Sequence, residues 1–270
     1  MAKPSGRVGV PDLLEMKRTA RKITMLTAYD ASMAKILDGA GIDVLLVGDS
    51  LGMVVLGEDT TLGVTLDMMV HHCRAVANGA TRALVVADLP FLTYTSAADA
   101  VRNVGRLIQS GRAAAVKLEG GASSTGVVQA LTGAGIPVMG HLGLLPQHIH
   151  RLGGFRAVGK TRDEAEQLVA DAHALEDAGA FALVLESIPA ELSRRVTGEL
   201  AIPTIGIGAG PHCDGQVLVS YDAFGLFRGF VPRFVKRYAD LGAAMTEAAH
   251  AYIDEVRSGA FPSSPQSISK

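Results

Sequence analysis

The stretch Ala114-Ala115-Val116-Lys117-Leu118-Glu119-Gly120-Gly121 sets two charged residues, two positions apart, inside an aliphatic run that two glycines close. Side chains alternate across a strand with period two, so Val116 and Leu118 share one face while Lys117 and Glu119 share the other. The apolar pair suits a face covered by helices. The charged pair then points the opposite way, where burial is costly unless each charge finds a partner. This is the pattern of a parallel strand whose C-terminal end reaches a site of chemistry.

Seven further runs share this aliphatic character, at 23–26, 44–47, 84–87, 136–139, 181–185, 204–207 and 216–219. Each is almost continuously apolar, as expected of parallel strands covered on both faces. Segments of helical pattern separate most of them, among them 30–38, 66–77, 97–110, 162–178 and 190–195. Repeated βα units in a 270-residue chain favour an α/β fold of the (β/α)8 TIM-barrel type over an open doubly wound sheet. An N-terminal helix over about 11–19 precedes the first strand. No linker or shift of composition divides the chain, so residues 1–270 read as a single barrel domain, with the Pro/Ser-rich segment 263–270 as a mobile tail.

Composition narrows the function classes. With 48% hydrophobic and 19% charged residues the chain can bury a large core, which excludes a disordered class. Its formal net charge is −2, so it lacks the cationic excess that a phosphate backbone demands, and nucleic acid is not expected as a partner. The two cysteines, Cys73 and Cys213, stand in no zinc-like spacing and point to a reducing, cytoplasmic setting. The basic residues near the N-terminus are interrupted by Asp12 and Glu15, with no apolar core of a signal peptide. No apolar run approaches the roughly 20 residues of a spanning helix.

A barrel gathers its chemistry at the C-terminal ends of its strands, and here those ends are mostly acidic. The second run closes on Gly48-Asp49-Ser50, the third on Asp88, the fourth on Lys117 and Glu119, the fifth on Gly140-His141 and the sixth on Glu186. Asp49, Asp88 and Glu119 converging from three strands would repel one another, and a divalent cation resolves that repulsion. Carboxylate oxygens without clustered Cys or His favour Mg²⁺ over Zn²⁺. Any one acid after a strand is more readily a helix cap or the partner of a base; convergence of all three beside Lys117 favours a site. Ser50 is open between capping a helix and donating to a bound carboxylate, and His141 between a bonded rim residue and a substrate contact. Glu186, separate from the acidic trio, is the candidate general base. The glycines of Gly206-Ile207-Gly208-Ala209-Gly210 allow either a phosphate cradle or a close backbone approach. His71-His72-Cys73 lies on a helix, where adjacent side chains diverge, and Tyr29-Asp30 reads as a helix start.

Taken together, six ordered stretches resemble the ketopantoate hydroxymethyltransferase family, from about residue 11 to 262. They are 22–30 (KITMLTAYD), 47–53 (VGDSLGM), 88–91 (DLPF), 116–121 (VKLEGG), 137–143 (PVMGHLG) and 202–210 (IPTIGIGAG), the last followed by 213–216 (CDGQ). The resemblance implies a barrel of the phosphoenolpyruvate/pyruvate-like superfamily, Mg²⁺, and 5,10-methylenetetrahydrofolate as one-carbon donor to 3-methyl-2-oxobutanoate. It implies Asp49, Asp88 and Glu119 as the metal carboxylates, and Asp49, Ser50, Asp88 and Lys117 as substrate contacts. His141 would lie near the substrate, Glu186 would be the proton acceptor, and the assembly would be a homodecamer. Gly63 and Val158 depart from the family pattern, which often has Pro and Gln there. The rival readings are another Mg²⁺-dependent 2-oxo-acid carbon–carbon lyase of the isocitrate-lyase type, against which no nucleophilic cysteine motif is seen, and a catalytically inactive binding barrel.

Overall fold

A computed structural model describes residues 6–154 and 156–268. Eight strands, β1 (Ile23–Thr27), β2 (Val44–Val47), β3 (Leu84–Asp88), β4 (Ala115–Glu119), β5 (Val138–Gly143), β6 (Ala182–Glu186), β7 (Thr204–Ile207) and β8 (Gly215–Leu218), pair in parallel in sequence order. The circle closes where β8 pairs with β1. The expected barrel is therefore present, and each strand overlaps its apolar run.

The helices between them are α2 (Ala31–Ala40), α3 (Leu51–Val54), α4 (Leu66–Gly79), α5 (Ala97–Gln109), α6 (Thr125–Gly133), α7 (Ile149–Leu152), α8 (Arg162–Asp177) and α9 (Ala190–Glu199), after an N-terminal α1 (Val10–Arg18). Their starts are legible in local chemistry. Asp30 caps α2 by accepting from the Met33 N–H, Thr65 caps α4 through the Met68 N–H, and Thr161 caps α8 through the Glu164 N–H. Each cap satisfies a donor that the first helical turn leaves free.

The barrel interior is filled by alternate strand residues: Ile23 and Met25, Val44 and Leu46, Leu84 and Val86, Ala115, Met139, Ala182 and Val184, Ile205, and Val217. Leu13 and Met16 of α1 join this cluster, so the helix stops the N-terminal end of the barrel with apolar side chains. Counting onward by two from these interior residues reaches Asp88 on β3, Lys117 and Glu119 on β4, His141 on β5 and Glu186 on β6. The register therefore carries an aliphatic plug directly into a ring of polar groups. Val116 and Leu118 are buried but stand outside the interior cluster, as the alternation in the opening stretch requires.

Residues 1–219 form one compact unit and residues 220–270 a second. It carries α10 (Ser220–Ala223) and α11 (Leu241–Ser258), the latter capped by Asp240 and ended by a left-handed Gly259. Of the segment read as a mobile tail, residues 263–268 are exposed and include a short turn at Ser264–Gln266; 269 and 270 lie outside the described residues.

Candidate active site

The polar ring at the C-terminal mouth is dense and dry. Asp49, Asp88, Lys117, Glu119 and His141 are all buried, and Glu186 is nearly so. Asp88 and Lys117 are register partners on β3 and β4, and Lys117 Nζ lies 3.0 Å from Asp88 Oδ1. Asp49 follows β2, and its backbone N–H donates to Asp88 Oδ2 at 3.1 Å. The approach is close enough that a Cβ on Gly48 would stand 2.7 Å from Ser50 Oγ and 3.5 Å from Asp88 Oδ2. Glycine is required there by space rather than by backbone angle.

Electrostatics follow from this crowding. Burial, reinforced by the neighbouring Asp88 charge, pushes the Asp49 carboxyl up to about 7 despite Lys117 and Gln147 nearby. Glu119 is likewise raised, by burial first and then by Asp49. Burial alone would depress the Lys117 ammonium, but the charges of Asp88, Glu119 and Asp49 outweigh it and hold lysine above its ordinary value. Lys117 stays charged. His141 is the reverse case: burial, and then the adjacent lysine, hold its imidazole well below the usual range, so it is neutral.

Neutral His141 stands between the two kinds of carboxylate. Its Nδ1 lies 3.3 Å from Lys117 Nζ and 3.6 Å from Glu119 Oε1, and its Nε2 lies 3.2 Å from Glu186 Oε2. With Lys117 donating to Nδ1, the ring proton belongs on Nε2, facing Glu186. Burial pushes the Glu186 carboxyl up to about 7, with Lys117 opposing. The following residue, Ser187, takes a left-handed φ of 50°, donates its N–H to Ile207 O and accepts from the Val158 N–H, which pins the strand end carrying Glu186. Gly143 faces this corner with φ 94°, and a Cβ there would meet Glu186 O at 2.2 Å.

Three residues to which the strand-end reading gives no part in the site complete the mouth. Gln147, in the turn after β5, donates its backbone N–H to Glu119 Oε2 and its side-chain Nε2 to Asp49 Oδ2. Tyr94, in the loop after β3, donates its hydroxyl to Gln147 Oε1. Tyr29, just past β1, shares a 2.9 Å hydrogen bond between its hydroxyl and Ser50 Oγ, while its carbonyl lies 2.7 Å from His72 Nδ1. Ser50 precedes α3 without a side-chain capping bond; its hydroxyl is shared with Tyr29 instead.

A family model described as ketopantoate hydroxymethyltransferase matches residues 7–264. The chain belongs to the ketopantoate hydroxymethyltransferase family. It is 57% identical to the 3-methyl-2-oxobutanoate hydroxymethyltransferase of Moorella thermoacetica, covering 97% of this chain and 98% of the relative. It is 53% identical to that of Pelobacter propionicus, covering 97% of each. Among solved structures it resembles phosphonopyruvate hydrolase in complex with oxalate and Mg++, with a TM-score of 0.62 and 15% identity over 96% of this chain and 93% of the other. It also resembles 2,3-dimethylmalate lyase, a PEP mutase/isocitrate lyase superfamily member, at TM-score 0.59 and 19% identity over 96% and 91%. At these identities the likeness concerns the fold alone.

The donor set suits the Mg²⁺ that the family resemblance implies. Four carboxylates, Asp49, Asp88, Glu119 and Glu186, face a single ammonium, and Asp88 Oδ1, though 3.0 Å from Lys117 Nζ, receives no aligned hydrogen bond. Among the described residues no three His, Cys, Asp or Glu side chains are gathered as a ready chelate, and the Glu119 carboxylate accepts from the Gln147 N–H and lies 3.6 Å from His141 Nδ1. Mg²⁺ commonly takes only one or two carboxylates and keeps waters, so the adjacent Asp49 and Asp88 fit it, with Glu119 behind them.

The family departures lie beside the mouth. Gly63 leaves room for Glu58, whose Oε2 would stand 2.5 Å from an added Cβ, and Val158 is half-buried and bonded to Ser187. Phe155 of the same segment lies outside the described residues. The Gly206–Gly210 loop is spent on close packing: a Cβ on Gly210 would meet Ala190 Cβ at 2.5 Å, and the Gly210 carbonyl accepts from Gln216 Nε2. Among the described residues no helix is long and apolar enough to cross a membrane.

Proposed function

We propose that this chain transfers a hydroxymethyl group from 5,10-methylenetetrahydrofolate to C3 of 3-methyl-2-oxobutanoate, giving 2-dehydropantoate (ketopantoate), a step of pantothenate and coenzyme A synthesis. Membership of the family supports the substrate pair. The observation that carries the chemistry is the division of carboxylates in one mouth: Asp49 and Asp88 crowded beside Lys117, and Glu186 apart from them across His141.

The difficult step is removal of a weakly acidic C3 proton. An ordinary carboxylate is a weak base for it; Glu186, raised to about 7 by burial, is half available near neutral pH and a stronger base. Glu186 takes the C3 proton, and the electron pair moves onto the keto oxygen. Lys117, held charged, faces that developing negative charge. Ser50, Asp49 and Asp88 orient the 2-oxo acid, and neutral His141 stands beside Glu186, its Nε2 3.2 Å from Glu186 Oε2. Asp49 and Asp88, with Glu119 behind them, would hold Mg²⁺, which would supply positive charge that acidifies the 2-oxo acid at C3. Water cleaves both carbon–nitrogen bonds of the methylene bridge, its oxygen staying on the one-carbon unit as formaldehyde and its two protons going to the nitrogens as tetrahydrofolate leaves; the C3 carbon then bonds to the formaldehyde carbon, whose oxygen takes the proton held by Glu186 and becomes the hydroxyl.

Two buried thiols, Cys73 and Cys213, agree with a reducing cytoplasm, and a homodecamer follows from the family resemblance. The deciding experiment is proton NMR of 3-methyl-2-oxobutanoate in D2O with the enzyme. The C3 proton signal should disappear with Mg²⁺ and persist without it, before any folate is added. Retention of the signal with Mg²⁺ present would sink the reading.

A further inference from the structure

The mouth holds one amide that the reaction scheme leaves unused. Gln147 is buried at 4% exposure, and both its side-chain N–H donors are spent: Nε2 donates to Asp49 Oδ2 at 2.9 Å and to Leu89 O at 2.9 Å. Its Oε1 accepts the Tyr94 hydroxyl at 2.6 Å, and its backbone N–H donates to Glu119 Oε2 at 3.1 Å. Turning the amide over would set Oε1 against a carboxylate and a carbonyl, so the network admits one orientation. One residue thereby ties the acids after β2 and on β4 to the loops that follow β3 and β5.

The choice of a neutral amide matters. Asp49 sits against Asp88, whose like charge disfavours its ionised form. A lysine in the same place would hold Asp49 but cancel the charge needed for a cation. An amide holds the carboxylate by a hydrogen bond and leaves its negative charge in place. Such donors to ligating groups typically change metal affinity by about 10–100-fold when removed.

We infer that Gln147, oriented by Tyr94, is a positioning residue that fixes the Asp49 carboxylate for the cation and the 2-oxo acid before either arrives. The inference rests on the functional reading above and adds to it a residue pair that touches neither reacting carbon. Because the link to Glu119 runs through the backbone, side-chain variants at 147 release Asp49 from its donor, together with the Leu89 carbonyl and the Tyr94 hydroxyl, and leave that link intact.

The test is calorimetric titration of Mg²⁺ alone into the metal-free full chain, with thermal melting in the same buffer. Gln147→Met keeps length and bulk and removes the donors; Tyr94→Phe removes one hydroxyl. Gln147→Met should weaken Mg²⁺ binding by about 10-fold or more, and Tyr94→Phe by a smaller factor. Raising Mg²⁺ should restore C3 deuterium exchange in Tyr94→Phe, a recovery that a purely structural defect does not give. Mg²⁺ affinity in both variants within about twofold of the unaltered chain overturns the inference; if Gln147→Met does not fold, Tyr94→Phe decides alone. Failure of the unaltered chain to bind Mg²⁺ is a separate result, which removes the functional reading and this inference with it.

Discussion

Lys117 Nζ and Asp88 Oδ1 stand 3.0 Å apart on direct register partners of adjacent parallel strands, deep enough that both side chains are almost wholly buried. This ammonium is the neutralising charge for Asp88, Glu119 and Asp49 together. Lys117→Met should therefore cost about 3 kcal/mol near neutral pH, because breaking a buried pair strands the remaining charge. Part of that loss should return on acidification, as protonation removes the stranded negative charge. Urea unfolding at two pH values checks it, and a variant as stable as the parent at both would contradict the assignment.

Metal affinity separates the two classes of acid. Asp88→Asn and Glu119→Gln should each weaken Mg²⁺ binding, the first by more, since Asp88 adjoins Asp49 while Glu119 is held by Gln147. Unchanged affinity in both would remove the cation from this mouth.

Glu186→Gln should leave Mg²⁺ and substrate binding nearly intact and abolish C3 deuterium exchange, since a neutral amide accepts no proton. The expected loss is on the order of 10²-fold or more, in line with general-base contributions. Normal exchange in this variant would exclude Glu186 as the base.

Much of this site was legible because the period of a β-strand is two. From Ala115, Lys117 and Glu119 alone, the side facing the mouth follows, and Asp88, His141 and Glu186 are in phase with interior residues of their own strands. Asp49 was reached through its position after a strand, although it belongs to a turn. Tyr29 is the same kind of residue after β1, but its neighbour Asp30 does cap α2, and that local role hid the hydroxyl contact to Ser50. Gln147 and Tyr94 carry no such mark. They act through loops whose meeting depends on tertiary geometry, and neither spacing nor alternation encodes that meeting. The acids at the other end of the barrel show the opposite lesson: Asp43 bonds Thr24, and Asp214 bonds Lys17 and Thr204, so they serve structure.

The Tyr29–Ser50 bond gives a mild perturbation of substrate binding. Tyr29→Phe keeps the ring in its buried place and removes one hydrogen bond, worth about 1 kcal/mol. If Ser50 orients the 2-oxo acid, the Michaelis constant for that acid should rise about fivefold with little change in Mg²⁺ affinity. A rise in the Mg²⁺ dissociation constant instead would place Ser50 with the metal carboxylates.

Asp38 provides a pH test that is remote from the chemistry. Burial alone would raise its carboxyl, but donors from Ala83 N–H, Thr81 N–H, Thr81 hydroxyl and Arg82 N–H overcome that and hold it below the ordinary value. A group whose folded pKa is depressed adds stability above its unfolded value, about 4, and loses it as pH falls through the folded value. Asp38→Asn should therefore be less stable than the parent at pH 7, and the gap should narrow on acidification below about pH 4. Asp38→Ala, which leaves three backbone donors without their acceptor, should cost on the order of 3 kcal/mol. Urea midpoints from pH 7 down to about 3 read both effects. A gap between Asp38→Asn and the parent that stays constant across that range would show that the charge of Asp38 contributes nothing to the junction between α2 and β3.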